Sequence, residues 1–100
     1  MGDAGNSYSR FQRALATGNL HLIRAAAAEL PQVDLVDALA VCVAIRDAEP
    51  QRFERAALRW LARYAVEKAT GLADVRAATE AFSIMLQRPE DALGTLRALI

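Results

Sequence analysis

Two side chains of this 100-residue sequence are suited to proton transfer or nucleophilic attack: His21 and Cys42, each the single residue of its type. His21 has no cysteine or carboxylate at ligand spacing, so a surface or capping position is favoured over catalysis. Cys42 lies in the apolar run ALAVCVAI, where a thiol packs as a small hydrophobe and its thiolate is disfavoured. Neither residue indicates an enzyme.

The acidic pairs of the sequence have a structural explanation. Asp34 with Asp37, and Glu90 with Asp91, fall where helices are expected to begin, and negative charge there offsets the helix dipole. No metal-ligand set and no glycine-rich phosphate loop can be assembled. We therefore expect a non-enzymatic protein with no catalytic, cofactor-binding or metal site.

The most distinctive pattern is a row of arginines at three- and four-residue steps: Arg52, Arg55, Arg59 and Arg63. On an α-helix this spacing places all four on one stripe. A second stripe beside it is apolar and aromatic, and it is expected to face the core: Phe53, Ala57, Trp60, Leu61 and Tyr64. Three interpretations stay open for the arginines: a solvated face, contact with an anionic protein, or contact with nucleic acid.

The nucleic-acid interpretation has a sharper form, a helix-turn-helix. Residues 34–48 would be its first helix, the tripeptide AEP its turn, and the arginine-rich helix its recognition element. Two observations weaken this form: the turn lacks the usual glycine, and Phe, Trp and Tyr suit burial better than a DNA groove. The balanced net charge adds no support.

The last helix offers a second candidate surface, an apolar face made of Leu93, Leu96, Leu99 and Ile100. Either this helix folds back into the core, which is the preferred alternative, or its face is shared with another chain, as in a homodimer.

Alanine and leucine dominate while β-branched runs are scarce, which predicts an all-α protein. Helix-breaking glycine and proline residues, together with polar capping residues, divide the chain into six predicted helices. The first is capped by Ser7 or Ser9 and ends before Gly18; the others cover about residues 20–30, 35–48, 50–70, 73–87 and 89–100. Short connections are typical of a helical array or bundle.

Length and composition indicate one domain. Acidic and basic residues balance, and no apolar run has the length that crosses a bilayer. The single cysteine favours a reducing compartment, so a cytoplasmic location is expected. Eleven arginines against one lysine, together with abundant alanine, suggest a GC-rich bacterial source.

Three similarities recur in the same order along the chain: RFQRA with RFERA, ATGNLHLIRAA with ATGLADVRAA, and DALAVCVAI with DALGTLRALI. They predict two related three-helix halves, with about eleven extra residues in the fourth helix. Chance similarity between alanine-rich helices stays the alternative. The predicted organisation is a flexible segment at residues 1–6 and a helical domain at 7–100, with halves at about 7–48 and 50–100, arranged as an α-superhelix or an orthogonal bundle.

The passage ALATGNLHLIRAAAAEL resembles the turn of ankyrin or tetratricopeptide repeats, and three helices per unit are similar to armadillo repeats. The chain also resembles small uncharacterised helical proteins of GC-rich bacteria. The Thr-Pro-Leu-His opening of ankyrin repeats and the Trp and Tyr of tetratricopeptide repeats are absent, so no functional residue carries over.

The sequence thus predicts a non-enzymatic protein–protein interaction or assembly module, binding another protein or itself. The alternative is a small DNA- or RNA-binding regulator that uses the four arginines.

Overall fold

The computed structural model describes residues 3–100, with side chains from Asn6 onward. Its elements are six α-helices and one 3₁₀ turn, and residues 3–100 contain no strand. The all-α prediction is confirmed. The helices are α1 (Asp3–Thr17), α2 (Leu20–Ala27), α3 (Leu35–Ala48), α4 (Phe53–Glu67), α5 (Leu72–Ile84) and α6 (Pro89–Leu99), and the 3₁₀ turn at Pro50–Arg52 precedes α4.

The chain divides into two compact units, Met1–Phe53 and Glu54–Ile100. This boundary lies close to the division expected between residues 48 and 50. In the first unit, α1 packs against α2, and both also contact α3. Its completely or almost completely buried side chains include Phe11, Ile23 and Leu39.

In the second unit, α5 packs against α6, and α4 reaches α5 through aromatic side chains. Tyr64, Met85 and Leu96 are the largest of its almost completely buried residues. Met85 directly follows α5, and Phe82 is the large buried side chain within that helix. Each unit thus has a large buried side chain from each of its three helices, which is how amphipathic helices build a core.

Local signals set several helix ends where the sequence predicts them. Gly18 follows α1 with φ of +72°, the left-handed conformation that suits glycine. Asn19 then caps α2, because its Oδ1 accepts hydrogen bonds from the backbone N–H groups of His21 at 3.0 Å and Leu22 at 3.3 Å. Pro89 is the first residue of α6, as expected.

Other ends differ from the prediction. Helix α1 begins at Asp3, ahead of the expected caps Ser7 and Ser9. Residues 3–6 of the segment expected to be flexible therefore lie in this helix, and residues 1 and 2 lie outside the described residues. Capping preference is a weak local signal, and a helix that packs through Phe11 extends past it.

Helix α4 is shorter than expected. Residues 50–52 form a 3₁₀ turn, and α4 ends at Glu67 instead of continuing to Thr70. Thr70 lies just before α5 and is bonded to the first turn of that helix. Its backbone N–H and its hydroxyl both donate to Oδ2 of Asp74, at 2.9 and 2.8 Å. Gly71 is accordingly the N-cap of α5 rather than a C-terminal cap of α4.

The structure aligns the two predicted halves differently from the sequence motifs. Helices α1 and α4 both have 15 residues, so the fourth helix is not longer than the first. Phe11 lies in the second half of α1, whereas Phe53 is the first residue of α4, so the two RF motifs are not equivalent in position. Tyr64 matches Phe11 better, since each is buried and lies seven residues before a glycine. Duplication stays a prediction, now without an insertion.

Candidate interaction surface

The aromatic side of α4 faces inward, as the sequence predicts. Phe53, Trp60 and Tyr64 are all buried, with Trp60 2% and Tyr64 1% exposed. The Trp60 ring stacks on Tyr64 with centroids 5.4 Å apart and forms a T-shaped contact with Phe82 at the same centroid distance. Burial raises the pKa of the Tyr64 hydroxyl, and the charge of Asp74 adds to this effect. Leu61, expected to share this face, is only half-buried.

Two of the four arginines form ion pairs with glutamates. Arg52, in the 3₁₀ turn, lies 3.5 Å from Oε1 of Glu49, which also accepts a hydrogen bond from Arg24 at 3.2 Å. Arg63 donates to both carboxylate oxygens of Glu67, one turn later on α4, at 2.9 and 3.4 Å. The Arg52–Glu49 and Arg63–Glu67 contacts are local, and such exposed pairs contribute little to stability.

The other two arginines, Arg55 and Arg59, are exposed. Within the part of the chain that the structure describes, neither forms a hydrogen bond or an ion pair. They are one turn apart on α4, so two uncompensated positive charges project on the same side of the helix.

Three apolar residues lie beside these arginines, and neither the arginine stripe nor the aromatic stripe of the sequence includes them: Leu58, Ala62 and Val66. All three are exposed, with Leu58 58% and Val66 86% accessible. Their four-residue spacing keeps them on one side of the helix, away from the buried rings. That spacing is visible in the sequence and is the signal that could have revealed them. We define the outer face of α4 as Arg55, Leu58, Arg59, Ala62 and Val66.

The apolar face predicted on the last helix is less accessible than the outer face of α4. Leu96 is completely buried, while Leu93, Leu99 and Ile100 are half-buried. Helix α6 packs against α5. For Leu96, the structure thus matches the preferred alternative, in which the last helix folds back into the core. A partner cannot reach this side chain in this structure.

The residues considered for chemistry are dispersed. His21 is exposed in the first turn of α2, and Cys42 is buried in α3. Asp34 occupies the N-cap position of α3 without a capping side-chain bond, and Asp37 accepts hydrogen bonds from the side chains of Tyr8 at 3.0 Å and Gln12 at 3.3 Å. Among the described residues, no group of three His, Cys, Asp or Glu side chains is placed to hold a metal ion.

Two further observations concern membrane-spanning helices and similarity to known proteins. Within residues 3–100, no helix combines the length and the apolar character needed to span a bilayer. Comparison with known proteins found no matching family, no similar curated protein and no similar solved structure.

Proposed function

We propose that this protein is a non-enzymatic interaction module that binds an acidic, amphipathic helix of another protein on the outer face of α4. The observation that carries the proposal is the pairing of two uncompensated arginines with exposed apolar side chains on the same face. The resemblance to helical-repeat proteins and the expected cytoplasmic location are part of the same proposal.

The apolar residues argue for a protein partner. Full burial of a Leu or Val side chain contributes about 1.5–3 kcal/mol, and Leu58 and Val66 are both largely exposed. A partner that covers them with its own apolar side chains gains this energy, while acidic residues beside them pair with Arg55 and Arg59. Positions 55, 58, 59, 62 and 66 follow the spacing of a helix face that docks another helix.

The aromatic residues argue against binding of single-stranded nucleic acid, which is one form of the alternative function, a DNA- or RNA-binding regulator. Binding of this kind uses exposed rings that stack on bases. Phe53, Trp60 and Tyr64 are buried, and glutamates already pair with two of the four arginines, Arg52 and Arg63. Only Arg55 and Arg59 remain for phosphate contacts, fewer than a basic binding groove provides.

Charge complementarity favours another protein over a second copy of this chain. A symmetric pairing of outer faces would bring Arg55 and Arg59 of both copies to one interface. An acidic partner instead neutralises these charges, which also accelerates association at low salt.

The test is a set of fluorescence-anisotropy titrations with three labelled probes: a leucine–glutamate amphipathic helix, the same helix with lysine in place of glutamate, and single-stranded DNA. We expect the glutamate helix to bind more tightly than the other two probes. The Arg55→Ala/Arg59→Ala variant should weaken its binding about fivefold, the combined effect of two exposed ion pairs.

Matched controls come from the same unit. Arg76→Ala/Arg97→Ala removes two exposed arginines elsewhere, and Leu72→Ser removes an exposed apolar residue, compared with Leu58→Ser on the outer face. Equal losses from control and test variants would contradict the proposal. Preferential binding of DNA would support the nucleic-acid alternative, and a salt-resistant dimer in light scattering would support self-association.

A further inference from the structure

A groove of about 270 Å³ lies between α1 and α2, wholly inside the Met1–Phe53 unit and separate from the outer face of α4. Its floor is apolar and consists of Ala14, Leu22, Ala25 and Ala26. Ala14 and Ala26 are buried, whereas Leu22 is 46% exposed. The three alanines leave space between the helices, and Leu22 presents apolar surface that a ligand would cover.

The rim of the groove is charged. Arg10 and Glu29 form an ion pair that joins α1 to the turn after α2. Arg13, which lies three residues after Arg10 on α1, also lines the groove. It has no hydrogen-bond or ion-pair partner within the described residues. The charges of Arg10 and Glu29 cancel, so Arg13 gives the groove lining a net charge of one positive unit.

The remaining polar side chain of the lining is already occupied. The Thr17 hydroxyl donates to the carbonyl oxygen of Ala14 at 2.6 Å and accepts from the backbone N–H of Asn19 at 3.1 Å. Arg13 is therefore the group with donors to offer, and its guanidinium can pair bidentately with a carboxylate.

The size of the groove limits the ligand. A cavity of roughly 150 Å³ holds one benzene ring, and pockets for drug-sized ligands begin near 300 Å³. A volume of about 270 Å³ thus suits a single ring, or a short aliphatic chain, with a small charged group attached.

We propose that the α1–α2 groove binds a small apolar monocarboxylate, whose apolar part covers Leu22 and the alanine floor and whose carboxylate pairs with Arg13. This site is independent of the proposed protein-binding face, since none of its residues lies on α4.

The test titrates the full chain, labelled with ¹⁵N, and follows its amide resonances by NMR. The probes are 3-phenylpropionate, 3-phenylpropylamine, which reverses the charge, and propionate, which lacks the ring. We expect saturable shifts at residues 10–29 with 3-phenylpropionate and weaker binding of the other two probes.

Two variants separate the parts of the site. Arg13→Gln should weaken 3-phenylpropionate binding about two- to fivefold, and Ala25→Leu should block it by filling the groove. The controls are Arg76→Gln and Ala98→Leu, exposed positions in the other unit that should leave the affinity unchanged.

Charge reversal provides a second check that does not depend on loss of binding. Arg13→Glu should shift the preference from 3-phenylpropionate to 3-phenylpropylamine. The proposal is overturned if no saturable shifts occur, if the amine binds wild type as well as the acid does, or if Arg13→Gln leaves the affinity unchanged.

Discussion

At the residue scale, neighbouring groups decide the role of chemically identical side chains. Arg63 has Glu67 one turn away and forms a bidentate pair, whereas Arg59, also on α4, has no such partner among the described residues. An arginine without an acid nearby keeps its donors available for another molecule. The same reasoning applies to Arg13 in the α1–α2 groove.

Asp74 shows how local hydrogen bonds tune a titration. The backbone N–H of Thr70 and then its hydroxyl donate to this carboxylate, and both lower its pKa. A depressed folded-state pKa means that the ionised form stabilises the fold. This contribution is present above the unfolded-state pKa of about 3.8 and is lost as the pH falls through the folded-state value.

We therefore expect Thr70→Val to raise the pKa of Asp74 but not to restore it fully, since the backbone N–H remains. The measurement is an NMR titration of the Asp74 carboxyl carbon in both proteins. In wild type, the stability advantage over Asp74→Asn should also shrink as the pH falls through the folded-state pKa. An unchanged Asp74 pKa in Thr70→Val would refute this account of the α5 start.

At the element scale, α4 has two faces of different character. One buries Trp60 and Tyr64 against the rest of its unit, and the other exposes Leu58 and Val66 beside arginines. Helix periodicity separates the faces without deciding which of two apolar stripes is buried. The larger aromatic side chains occupy the inner face because they remove more apolar area from water.

Two glycines test backbone conformation and helix propensity separately. Gly18 has φ of +72°, so Gly18→Ala should destabilise the protein by about 1 kcal/mol. Gly94 lies inside α6, and beyond its chain neighbours and its own helix backbone a Cβ there would meet no atom within 4 Å, so Gly94→Ala should stabilise by up to about 1 kcal/mol. Urea denaturation of both variants provides the measurement. A shift in the same direction for both would show that the φ at Gly18 is not the determining factor.

At the scale of the whole molecule, burial separates residues that hold the fold from those free to bind. Leu96 and Leu58 are the same residue type in the same unit, but Leu96 is completely buried and Leu58 is 58% exposed. A Leu96→Glu substitution, made to test self-association through the apolar face of α6, would therefore place a charge in the core and disrupt folding.

We expect Leu96→Ala to lower the free energy of unfolding by about 2–5 kcal/mol, because it leaves a cavity. Leu58→Ala, its matched control, should change stability by less than about 0.5 kcal/mol. Thermal and urea unfolding followed by circular dichroism measure both effects. Similar, small changes in the two variants would indicate that α6 is not part of the core.

The sequence alone determined the helical class, the number of helices and most of their ends. These features depend on local interactions: Gly18 tolerates a left-handed φ, Asn19 caps the next helix, and Pro89 starts the last one. The inward direction of Trp60 and Tyr64 was also predictable, since large aromatic residues at helical spacing select the buried side.

Only the tertiary structure decided which candidate residues are available to bind. Leu96 and Val66 are both apolar residues at helical spacing, yet packing of α6 on α5 buries the first and leaves the second exposed. The α1–α2 groove likewise depends on how two helices pack. Whether Arg13 has a partner depends on which acids come near, and among the described residues it has none. These properties arise from contacts between elements, and local propensity and periodicity contain no information about them.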